Sequence, residues 1–95
     1  MNRHEFGEKV KAAAQTYLSW LDPGDENYDT TRTAALAARR AGLPVSPESR
    51  WTAEDCPVAH AVICEACDLR HGRATYTTDY AVDAAFEEYR LGYLA

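Results

Sequence analysis

Five residues that could hold a metal or exchange electrons fall in one short stretch: Cys56-x3-His60-x3-Cys64-x2-Cys67-x3-His71. Thiolates and imidazoles are the ligands of zinc and of iron–sulfur clusters. On a helix turning about 100° per residue, all five positions fall within roughly 80° of one another. Their axial spread is the difficulty, because Cys56 and His71 would stand about 22 Å apart at 1.5 Å of rise per residue. A straight helix can therefore offer one ion two adjacent ligands, His60 with Cys64 or Cys67 with His71. The remaining ligands must come from elsewhere, and His4 is the one further Cys or His in the chain. Zinc fingers supply a distant second pair, which this sequence lacks. A cluster would use Cys56, Cys64 and Cys67, with His60 or His71 as the fourth ligand. The preferred reading needs no cofactor: the cysteines pack as small apolar side chains beside Val62, Ile63 and Ala66, with the histidines at the wetter edge. A zinc or iron–sulfur regulator and a redox thiol pair are the alternatives. In either case the helix dipole favours His71 as a cation.

A second constellation lies nearer the C-terminus. Tyr76, Tyr80, Tyr89 and Tyr93 are interleaved with Asp79, Asp83, Glu87 and Glu88. Tyrosine is a common interface anchor, and Asp79, Asp83 and Glu87 stack at i, i+4, i+8. This pattern predicts a partner-binding face of Tyr76, Asp79, Tyr80, Asp83 and Glu87, with Arg39 and Arg40 as basic contacts. The competing reading is that the tyrosines roof a small core with their hydroxyls in water.

Catalysis has the least support. Asp22, Asp25, Glu26 and Asp29 lack the spacing and turn glycine of a calcium loop. Ser19, Ser46 and Ser49 have no nucleophile-elbow context, and there is no glycine-rich phosphate loop.

The chain has 95 residues with a net charge of −5, so the basic footprint of a nucleic-acid binder is absent overall. Residues 28–53 are the exception, at +2. Within them, the run from Ala34 to Leu43 looks like the opening of a helix-turn-helix. Pro44 and Pro47 spoil the turn, and the next helix is apolar and acidic. A DNA partner is a second alternative, not the expectation. Three cysteines make a poor disulfide framework. With no long apolar run and no signal-peptide pattern at Met1–Glu5, a soluble cytoplasmic protein is expected. Eight arginines against two lysines, with 17 alanines, suit GC-rich bacterial or phage coding.

Four helices must position these residues. The first spans about Arg3 to Leu21, capped by Asn2 and buried along Phe6, Val10, Ala13, Ala14, Tyr17 and Leu21. The second runs from Thr30 to Ala41 and stops at Gly42; its alanines make a thin wall. Residues 44–52 form a linker carrying one helical turn, and Trp51 plugs a gap between helices. The third helix begins between Ala53 and Cys56, after a capping box at Thr52–Asp55, and ends at His71. It is apolar nearly all round and therefore central. The fourth runs from about Asp79 to Tyr93 behind an extended connection, with Thr77 or Thr78 as cap. The sequence thus predicts a single all-α domain over residues 1–95 and a small non-enzymatic regulatory or inhibitory protein acting by protein contact. With 13 large aliphatic residues to build a core, a homodimer would be an attractive way to bury more surface.

Overall fold

A computed structural model describes residues 1–21, 30–52, 54–72 and 80–92. The acidic loop, the 73–79 connection with Tyr76, its threonine cap and Asp79, and Tyr93 lie outside the described residues. The fold is all-α. Among the described residues its helices are α1 (Arg3–Trp20), α2 (Thr30–Arg40), α3 (Pro57–Arg70) and α4 (Tyr80–Arg90), with a 3₁₀ turn at Glu48–Arg50.

Each boundary has a local cause. Asn2 caps α1, its side chain accepting the Glu5 amide at 2.8 Å. At the end of α2 the Leu43 amide reaches the Ala38 carbonyl at 3.0 Å and the Gly42 amide reaches Arg39 at 3.1 Å. That nested pair requires a left-handed residue, which Gly42 supplies at φ +86. Gly42→Ala should cost about 1–2 kcal/mol, since a Cβ is strained at that angle. Chemical denaturation would measure it. A cost near zero would mean that the stop does not depend on the glycine.

The third helix starts later than its capping box suggests. Thr52 does cap a turn, its hydroxyl accepting the Asp55 amide at 3.2 Å. The helix itself begins at Pro57, with Cys56 as a non-helical N-cap at φ −124, ψ 83. A residue before proline is pushed out of the helical region, and proline is well suited to the first helical position. Cys56 therefore leaves the helical phase that the sequence pattern gave it.

The core joins all four helices. Phe6, Val10, Ala13, Ala14 and Tyr17 of α1 meet Val58, Ala59, Ala61, Val62 and Ala66 of α3. Ala34, Ala35, Ala37 and Ala38 are buried on α2, and Ala81, Val82 and Ala85 on α4. The α3 helix packs against each of the other three and is the centre of the molecule. Alanine walls let those neighbours approach closely, so the core is built on proximity more than on large side chains. Ile63 and Leu69 are only half-buried at its margin. Among the described residues no helix is long and apolar enough to cross a membrane.

Candidate functional site: the outer stripe of α3 and the outer face of α4

Packing on three sides decides which part of α3 meets solvent. Val58, Ala61, Val62 and Glu65 share one inward phase, and all are buried. His60, Cys67 and His71 are exposed and Cys64 is half-exposed. The cysteines are thus not equivalent core filler. Cys56 is buried, whereas Cys64 and Cys67 stand on the outer stripe, and none of the three is in a disulfide.

The structure divides the five-residue motif. Cys64 Sγ lies 3.5 Å from His60 Nε2. One turn on, Cys67 Sγ is 3.8 Å from His71 Nδ1. His71 Nδ1 also lies 2.9 Å from the Cys67 carbonyl. A carbonyl can only accept, so Nδ1 carries a proton, and in the neutral ring Nε2 holds the lone pair. Cys56 is not part of either pair. Among the described residues no three His, Cys, Asp or Glu side chains gather at one point suitable for a metal. Each Cys–His pair can supply two ligands and needs two more from outside its own helix turn.

Burial pushes the Cys56 thiol above its ordinary pKa, with the Ala59 amide working in the opposite direction. Because the folded state favours the neutral thiol, this contribution to stability is intact below the ordinary thiol range. It is lost as pH rises through the raised value. Native protein treated with iodoacetamide at mildly alkaline pH should therefore label quickly at Cys67, more slowly at Cys64, and at Cys56 only on unfolding. Equal labelling of all three without denaturant would contradict the buried position of Cys56.

The second constellation is brought together only in part. Tyr80 is 85% exposed. Asp83 and Glu87 are also exposed, but each has a partner within the chain. Arg3 Nε donates to Asp83 Oδ1 at 2.7 Å, tying α4 to α1. Arg90 pairs with Glu87 and holds its carboxyl below the usual range. Arg39 has an internal role: its guanidinium lies 4.8 Å above the Trp51 ring and 3.5 Å from Glu48. Arg32 covers the same ring at 5.3 Å. Arg40 is exposed at the C-terminal end of α2, where a cation complements the helix dipole.

Two further features were missed from sequence. Glu65 is completely buried at the centre of α3. Its helical phase, shared with Val58 and Val62, was the available signal. A cleft of about 280 Å³, lined by Tyr17, Leu18, Leu21, Ile63, Ala66 and Arg70 among others, opens beside the C-terminal half of α3. In comparisons with known proteins, no family model, curated protein or solved structure matches the chain.

Proposed function

We propose that the chain is a small non-enzymatic regulatory or inhibitory protein that acts by protein contact, and that the outer face of α4 is its docking surface. The observation that carries this reading is the exposed stripe Tyr80–Ala84–Glu87–Leu91, at helical positions i, i+4, i+7 and i+11. It runs about 16 Å along the helix and has an apolar residue at each end. Tyr80 is 85% and Leu91 52% exposed, so both anchors are available to a partner. Asp83 and Glu88 flank the stripe on either side.

An aromatic and an aliphatic anchor with acids between and beside them suit a partner whose apolar patch is rimmed by Lys or Arg. The pairs made by Asp83 and Glu87 are exposed and therefore weak, so partner cations can replace them. The net charge of −5 would steer such a partner towards the chain.

The test is affinity capture from the source cell's extract with native protein, Tyr80→Ala/Leu91→Ala, and Glu87→Lys/Glu88→Lys. Asp83 is left intact because reversing it would break the tie to Arg3. A partner captured by native protein, weakened by salt and lost with both variants while their circular dichroism is unchanged, supports the reading. A partner retained equally by both variants sinks it.

A further inference from the structure

The outer stripe of α3 is symmetric about its own centre. His60-x3-Cys64-x2-Cys67-x3-His71 reads the same in both directions, with its centre between Glu65 and Ala66. All four side chains lie within roughly 60° on a helix turning about 100° per residue. All four are also on the solvent side: His60, Cys67 and His71 are exposed and Cys64 is half-exposed. If a second copy is laid antiparallel across this stripe about a twofold axis through the centre, the halves exchange. His60 and Cys64 of one copy then face Cys67 and His71 of the other, and the same pairing recurs about 10 Å along the axis.

In the His60–Cys64 half the local geometry suits a tetrahedral ion. With Zn–S of about 2.3 Å, Zn–N of about 2.05 Å and a tetrahedral angle, the sulfur and nitrogen of one ion stand about 3.6 Å apart. Cys64 Sγ and His60 Nε2 are already 3.5 Å apart. In the other half, the 2.9 Å contact from His71 Nδ1 to the Cys67 carbonyl fixes the tautomer. A ligating histidine commonly makes this bond, leaving Nε2 for the metal. Each half-site has two soft ligands, and the described residues of its own chain gather no third.

We propose that two copies of the chain bind two zinc ions between antiparallel α3 helices, each ion held by His60 and Cys64 of one copy and by Cys67 and His71 of the second copy. Each ion takes one thiolate from each copy. Both thiol protons pass to solvent, and the two thiolate charges neutralise the dication. The surface joined is α3, so the proposal does not rest on the α4 docking face.

The experiment titrates zinc chloride into purified protein, kept reduced with a phosphine, while light scattering reports mass and elemental analysis reports bound metal. The expected result is a doubling of mass, two zinc ions per dimer, and return to monomer with a chelator. The decisive arm uses two double variants, His60→Ala/Cys64→Ser and Cys67→Ser/His71→Ala, both confirmed as folded by circular dichroism. Neither should dimerise alone, because each lacks one half of every site. Mixed together they should form a dimer holding one zinc, since one complete site is restored. Protein that remains monomeric at saturating zinc, either double variant dimerising by itself with zinc, or a mixture that fails to pair would each overturn the proposal.

Discussion

Phe6→Ala should lower stability by about 3–5 kcal/mol, the range for deleting a buried aromatic side chain. Phe6 is completely shielded from solvent. Its ring meets Phe86 edge-on at 5.5 Å and stacks on Tyr89 at 5.8 Å. Phe86 and Tyr89 also touch each other at 5.9 Å, so the three rings form one cluster joining α1 to α4. Alanine at position 6 would leave a void where the ring now meets Phe86 and Tyr89. A domain of this size has a total stability of roughly 5–14 kcal/mol. The loss therefore removes a large share of it and should lower the melting temperature by roughly 15–30 °C. Thermal unfolding followed by circular dichroism measures it, with Phe6→Leu as a milder companion that keeps most of the volume. A shift of only a few degrees would mean that the aromatic cluster is not what joins α4 to the core.

Trp51→Ala should cost a similar amount, about 3–5 kcal/mol, through a different region. Trp51 is buried, and its indole Nε1 donates to the Ser46 carbonyl at 2.8 Å. That bond closes the proline-containing linker on itself, while Arg32 and Arg39 of α2 lie over the ring. Removing the indole opens a cavity, orphans a carbonyl and releases both guanidinium groups. Trp51→Phe separates these effects. It keeps an aromatic face and should lose about 1–2 kcal/mol, mostly from the missing hydrogen bond. The contrast with Trp20, which is 39% exposed, gives an optical check. Iodide should quench Trp20 readily and leave Trp51 largely untouched until the protein unfolds. Equal quenching of both in native protein would contradict the stacked position of Trp51.

These two substitutions act on contacts of very different legibility. The α1 stripe of Phe6, Val10, Ala13, Ala14 and Tyr17 could be read directly, because polar residues elsewhere on the helix mark its inner side. The stop of α2 was equally legible, since Gly42 acts through its own backbone. Trp51 was recognisable as a plug, but its stacking on Arg32 and Arg39 was not. Arg39 read as a basic contact for a partner, and only the tertiary structure shows that it also lies over the Trp51 ring.

The opening cysteine–histidine motif marks the boundary most sharply. Composition and periodicity determine that this chain is helical, that α3 is its most apolar helix, and that His60, Cys64, Cys67 and His71 share one face of it. They do not determine which way that face points, because a helix apolar nearly all round has no inward side of its own. The neighbours decide. With α1, α2 and α4 packed against Val58, Ala61, Val62 and Ala66, the four-residue stripe is left facing water. Glu65 is carried inside by the same choice, and Pro57 separates Cys56 from the stripe. The pairing of Arg3 with Asp83 is likewise a product of packing, since residues 80 positions apart carry no local signal of their meeting. Local backbone chemistry fixed the helices, whereas burial, a property of the assembled surface, fixed which side chains were left to act.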